Sequence, residues 1–136
     1  MTEPTWKAIV SDKRQQRASK IPPEWRIPDP LLPPPEVAFV QDFPSKSGMF
    51  TDRELLLTEA TAFDATAKIS VGEWTALEVM AAICKRAAVA QQLLNCVTEI
   101  FFDQAMSRAK ELDEYFDKEG KTVGPLHGLP IRYFAH

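Results

Sequence analysis

The chain has 136 residues, the length of one ordinary domain, and its 45% hydrophobic content is enough for such a domain to bury roughly two-thirds of its surface, which excludes wholesale disorder. With 16 basic and 19 acidic residues the formal net charge is −3, so there is no electrostatic case for nucleic acid or an anionic membrane as partner. Nowhere do about eighteen apolar residues run together, and the opening Met1-Thr-Glu-Pro-Thr-Trp6 has no basic stretch leading into an apolar run, so neither a membrane span nor a signal peptide is expected.

Residues 1–20 read as an N-terminal helix. Trp6, Ile9 and Val10 recur at helical spacing within a stretch from Thr5 to Ala18, giving a narrow apolar stripe that needs something to lie on. The basic run Lys13-Arg14-Gln-Gln-Arg17 is a solvated helix face rather than a phosphate patch. Residues 21–50 form a Pro-rich extended arm. Eight of the chain's 11 prolines fall here (Pro22, Pro23, Pro28, Pro30, Pro33, Pro34, Pro35 and Pro44), each without an amide proton and each restricting its predecessor. A polyproline ligand for SH3 or WW domains competes with an arm packed along its own protein. The interleaved Ile21, Trp25, Ile27, Leu31, Leu32, Val37, Phe39, Val40 and Phe43 favour the arm, because a free linker has no use for so many side chains that want burial.

Residues 51–136 carry the remaining helices. Thr51-Asp-Arg-Glu54 is a capping box, predicting a helix from Asp52 to Ala65 with Leu55, Leu56, Ala60 and Phe63 facing inward. Gly72 interrupts the chain before a second capping box, Thr75-Ala-Leu-Glu78, opens the longest helix, Ala76 to Leu94. Apolar residues cover much of that helix, so burial on more than one side is expected. After a break at Asn95-Cys96, a further helix from Phe101 to Glu119 turns Ala105, Ala109, Leu112 and Phe116 inward and stops at Gly120, a left-handed cap. Val123 to Phe134 then reads as a turn leading into one terminal strand, which cannot make a sheet alone. The chain is thus mainly α: about four helices, the arm and one strand.

Cys84 and Cys96 lack the spacing of a zinc site or disulfide scaffold and are expected to be buried free thiols in a reducing compartment. The five glycines form no phosphate loop, so no nucleotide, cofactor or metal is expected.

The run Gly124-Pro-Leu-His-Gly-Leu-Pro130, preceded by Glu119-Gly-Lys-Thr-Val123, resembles the approach to the first core strand of amidase signature hydrolases, in their fungal acetamidase-like branch. Weaker similar pieces are Ile21-Pro-Pro-Glu-Trp25, Gly48-Met-Phe-Thr-Asp-Arg-Glu54, Cys84-Lys-Arg-Ala-Ala-Val-Ala-Gln91, Asn95-Cys-Val-Thr-Glu99 and Phe102-Asp-Gln-Ala105 leading to Leu112-Asp-Glu114, in matching order and spacing over about residues 5 to 131. The resemblance implies an α/β/α fold of which this chain is the N-terminal helical portion. It also implies hydrolysis of carbon–nitrogen bonds of linear amides, such as acetamide, through an acyl-enzyme. The relay it implies is a serine nucleophile, a second serine with a cis peptide, and a lysine on the strand approached here. That lysine must sit neutral enough to accept a proton through the bridging serine.

Against that pattern Ile131 matches, Arg132 stands where serine is usual, Tyr133 fills a hydrophobic slot, Phe134 takes the lysine position and Ala135 the aspartate position. Phe134 has no proton chemistry, and the Arg132 guanidinium stays protonated. Lys121 comes too early to reach the strand end. The six serines, Ser11, Ser19, Ser45, Ser47, Ser70 and Ser107, include no glycine-flanked cluster. His127 is expected to set the turn rather than act as a general base, and His136 to fray. Asp113-Glu114 and Asp117-Lys118-Glu119 read as solvated charges near a helix end.

The expectation is therefore a cytoplasmic amidase fragment, broken off at or before the catalytic lysine by a shifted frame, retained intron or fragmentary gene model, and inactive by itself. No catalytic residue is assigned; Gly124, Pro125, His127, Gly128 and Pro130 form a structural family motif. A small amide is the substrate only of a full-length form, and exposed apolar faces favour self-association. The alternative is a non-catalytic helical interaction module derived from an amidase.

Overall fold

A computed structural model describes residues 5–132. Six α-helices occur among them: α1 (Trp6–Ser19), α2 (Phe43–Lys46), α3 (Asp52–Glu59), α4 (Ala62–Ser70), α5 (Ala76–Leu94) and α6 (Phe102–Glu119), with single 3-10 turns at Pro23–Trp25 and Asp29–Leu31.

Two expectations require correction. The helix expected from Asp52 to Ala65 is two helices, which with α2 raises the count from about four to six. Ala60 ends α3 in an extended conformation (φ −66°, ψ 148°). Thr61 then caps α4, its Oγ1 accepting from the Asp64 amide at 3.1 Å. The new cap resets the helical phase, so Leu57, Ala65 and Ile69 are buried while Leu56 and Phe63, expected inside, are 55% and 80% exposed. The second correction concerns the terminal strand: no strand is present among the described residues, because a strand exists only by pairing and residues 129–132 have no partner strand there. Phe134, the other end of that expected strand, lies outside the described residues.

Both capping boxes form. Thr51 Oγ1 accepts from the Glu54 amide at 3.1 Å while Glu54 Oε2 accepts from the Thr51 amide at 2.9 Å. Thr75 and Glu78 make the same reciprocal pair at 3.1 Å in each direction. Each cap is worth about 1 kcal/mol.

Helix α5 is the axle of the fold, with α3 and α6 packed on it. Val79 and Ala82 enter a cluster with Leu57, Ala65, Ile69 and Trp74. Ala88 meets Ile21 and Ile100. Val89 meets Ile27 and Phe50. Full burial of Val79 or Val89 contributes about 1.5–3 kcal/mol apiece. Because three separate clusters converge on one helix, α5 is apolar around most of its circumference, as its sequence requires. Cys84 on this helix is buried, but Cys96, expected to be buried as well, is exposed because it lies in the loop beyond the helix end.

The Pro-rich segment lies against this axle at its two ends. Trp25 meets Phe102 edge to face at 5.7 Å, and Gln92 satisfies the backbone nearby: its Oε1 accepts from Ile27 N at 2.9 Å and its Nε2 donates to Trp25 O at 2.9 Å. Between these ends Leu31, Leu32, Val37 and Phe39 are exposed. Helix α1 buries none of its residues. Polar contacts to the loop after α5 hold it instead: Arg17 donates to Val97 O at 2.8 Å and to Asn95 Oδ1 at 2.7 Å, Lys13 pairs with Glu99 at 2.6 Å, and Lys20 reaches Ile100 O at 3.3 Å.

Lys85 Nζ donates to both carboxylate oxygens of Glu54, each at 2.9 Å, tying α5 to the start of α3. Partial burial pushes the Glu54 carboxyl up, but the Lys85 ammonium and the Thr51 amide outweigh it and hold the group below its ordinary 4.5. A carboxyl depressed in the folded state stabilises it fully above 4.5 and loses that contribution as pH falls through the lower folded value. Denaturation midpoints measured from pH 7 to pH 3 should therefore fall more steeply for the natural chain than for Glu54→Gln.

Candidate functional site

The segment after α6 is built from two overlapping turns. Gly120 closes α6 in the left-handed region at φ 65°, its amide donating to Phe116 O at 2.8 Å. His127 N then bonds Gly124 O at 3.2 Å, and Leu129 N bonds Leu126 O at 3.1 Å. Pro125 occupies the second position of the first turn, where its fixed φ suits a type I or II geometry. Gly128 occupies the third position of the second turn with φ 75°, the sign a type II turn requires there.

Gly128 and His127 are the buried residues of this motif, while Pro125 is exposed and Gly124 and Pro130 are half-buried. An added Cβ at Gly128 would stand 2.8 Å from Ala76 Cβ and 3.1 Å from Ile69 Cδ1, so the turn rests directly on the start of α5 and the end of α4. His127 Nδ1 accepts from the Val123 amide at 3.1 Å, which places the proton of the neutral ring on Nε2. Nε2 is buried with no hydrogen-bond partner among the described residues. The ring lies 6.2 Å from that of Phe116, whose edge faces the open side of Gly72.

One residue of this neighbourhood was read differently from the sequence. Asp113 is not a solvated charge: its carboxylate accepts from Ala76 N at 2.7 Å and Leu77 N at 2.9 Å. With Thr75 holding the Glu78 amide, the first three free amides of α5 are all satisfied. The signal was present in the spacing, since Asp113 falls four after Ala109 and three before Phe116, on the inward stripe. The Arg17 and Gln91 contacts to the loop were also missed. Gln91 is buried, accepts from Val97 N at 2.7 Å and donates to Asn95 Oδ1 at 3.0 Å. For Arg17 no spacing rule helps, because its partners 78 and 80 positions away are brought to it only by the fold.

At the end of the described segment Arg132 Nη2 donates to Cys96 O at 2.9 Å. No group of three His, Cys, Asp or Glu residues among the described residues is placed to hold a metal ion. No helix among them is long and apolar enough to cross a membrane. Tyr133, Phe134, Ala135 and His136 lie outside the described residues.

A family model described as Amidase matches residues 78–132, which span α5, α6 and the double turn. The chain is 76% identical over 98% of its length to kk1C of Curvularia clavata, a protein named as an amidase, and covers 25% of it. It is 50% identical over 93% of its length to an acetamidase of Emericella nidulans, of which it covers 22%.

The chain belongs to the amidase family.

A solved structure of a fatty acid amide hydrolase superposes on 91% of this amidase-family chain, with a TM-score of 0.79 and 35% identity, over 22% of its own length. The helical architecture described above is thus a fragment of the amidase fold. The chain spans about a quarter of the length of the curated relatives it matches.

Proposed function

We propose that this chain is the N-terminal helical portion of a carbon–nitrogen hydrolase of small linear amides, and that residues 1–136 alone carry no amidase activity. The double turn at Gly124–Pro130 carries the reading. It rests at Gly128 on the end of α4 and the start of α5, and further along the sequence Phe134 stands where the resemblance requires a lysine. The names of the relatives, amidase and acetamidase, support a small amide as substrate of the complete enzyme. In this reading Gly124, Pro125, His127, Gly128 and Pro130 are structural, none is catalytic, and residues 129–132 become part of a strand only when a sheet receives them.

The mechanism explains the expected inactivity. A serine hydroxyl is a poor nucleophile until a base takes its proton, and an acyl-enzyme needs both. Neither the base nor a clustered pair of serines is present, so restoring one part alone is not enough. Incubating purified chain with acetamide and measuring ammonia should show no release above buffer, and Phe134→Lys should not change that result. Ammonia formation proportional to the concentration of the natural chain would overturn the proposal.

A further inference from the structure

His127 fits its turn in only one protonation state. Its Nδ1 accepts from the Val123 amide at 3.1 Å, and the lone pair used is the one that a second proton would occupy. A doubly protonated ring therefore sets Nδ1–H against Val123 N–H, donor against donor, and the tautomer with its proton on Nδ1 does the same. The ring cannot turn to solvent where it stands, because it is only 4% exposed. Nε2 is already buried with no hydrogen-bond partner among the described residues, so an imidazolium in this place holds two N–H groups without an acceptor.

The elements packed around the turn bring no substitute acceptor to the ring among the described residues. Helix α6 presents the Phe116 ring at 6.2 Å. Asp113, three residues earlier on α6, attracts a charged ring, but its two oxygens are held by the Ala76 and Leu77 amides. Asp117 and Lys118, further along α6, are exposed. From α4 and the start of α5 the turn meets Ile69 and Ala76, and the charges nearest to these in sequence are paired elsewhere, Lys68 with Glu73 and Glu78 with Arg53. On the turn's own segment Glu119 and Lys121 are exposed, and Arg132 donates to the Cys96 carbonyl.

We infer that His127 is an acid-sensitive latch: proton uptake at Nδ1 breaks the bond to Val123 and releases the double turn from α4 and α5. Gly128, the next residue, is then no longer held against Ala76 and Ile69. The inference rests on the geometry of the turn and not on the reading of the chain as part of an amidase, so ammonia release by the chain alone would leave it standing. An imidazole open to water takes up its second proton near about pH 6.5, and the docked ring has no place for that proton, so the open form gains as pH falls. Between pH 7.5 and pH 5.5 the open fraction should rise about tenfold. Glu54 contributes nothing in this window, because its carboxyl is held below 4.5 and stays charged throughout.

The test measures amide hydrogen exchange by NMR on the full chain at these two pH values, each rate taken relative to an unstructured peptide at the same pH. The chain has two histidines, so His136→Gln is introduced throughout to leave His127 as its one imidazole. Protection of the Val123, His127 and Leu129 amides should fall about tenfold from pH 7.5 to pH 5.5. That of Val89, in the core of α5, should hold. His127→Asn, whose Oδ1 takes the place of Nδ1 and does not titrate, should keep Val123 protected at both values. Unchanged protection in the His136→Gln parent would overturn the inference, as would an equal fall in His127→Asn, or an equal fall at Val89, which makes the loss global. If His127→Asn does not fold, the ring of the parent decides. Ring shifts that report proton uptake while Val123 stays protected would overturn the latch, and uptake in step with the loss of protection supports it.

Discussion

Gly128→Ala should lower stability by about 3 kcal/mol, the sum of about 1–2 for a side chain in the left-handed region and about 1–3 for overpacking. For a chain of this size that corresponds to a fall of roughly 10 °C in Tm. The loss arises because φ is 75° and the new methyl would stand 2.8 Å from Ala76 Cβ and 3.3 Å from Ala76 Cα, neither of which can rotate away. Gly120→Ala separates the two contributions. Gly120 also has positive φ, at 65°, but nothing lies within 4 Å of its added Cβ, so about 1 kcal/mol is expected there. Equal losses at the two glycines in thermal or urea denaturation would show that the close approach of the turn to α5 contributes nothing.

Asp113→Ala should cost about 3 kcal/mol, because two hydrogen bonds to a charged acceptor are lost together, and bonds of that kind are worth about 1.5–3 kcal/mol each. Ala76 is fully buried, so its amide finds no water in exchange. The carboxylate also sits at the positive end of α5, where negative charge is favoured. Asp113→Asn keeps one acceptor and should recover about half of the loss. The check is the denaturation midpoint of the two variants beside a Glu114→Ala control, which alters an exposed neighbour. If Asp113→Ala behaves like Glu114→Ala, the long-range cap has no energetic weight.

These two residues show how differently parts of the site were legible. Gly128 could be found from sequence, since a glycine three residues after Pro125 within a run of turn formers marks a positive φ. Its contact with Ala76 could not, because 52 positions separate them and only the packing of the turn on α5 joins them. Asp113 was visible as a carboxylate on an apolar stripe, yet adjacency to Glu114 made it look like surface charge. The same limit explains α3 and α4. The periodic Leu55, Leu56, Ala60 and Phe63 suggested one helix, but the Thr61-Ala-Phe-Asp64 cap is a strong local stop that shifts the buried face to Leu57, Ala65 and Ile69. Conversely α1 forms over the residues its pattern suggests but buries none of its apolar stripe, and its docking through Lys13, Arg17 and Lys20 had no local signature.

The sequence by itself determined the features whose causes are local. The two capping boxes, the left-handed stop at Gly120, the all-round apolar character of α5 and the motif Gly124–Pro130 each depend on residues within a turn or two of one another, so spacing alone specifies them. Only the tertiary structure decided which polar groups meet across the chain: Asp113 with the start of α5, Arg17 with Asn95 and Val97, Arg132 with Cys96. It also decided that residues 129–132, for all their strand-like composition, form no strand among the described residues. The reason is the same in each case, since hydrogen bonds between distant segments, and strands above all, are properties of two partners and are written in neither one alone.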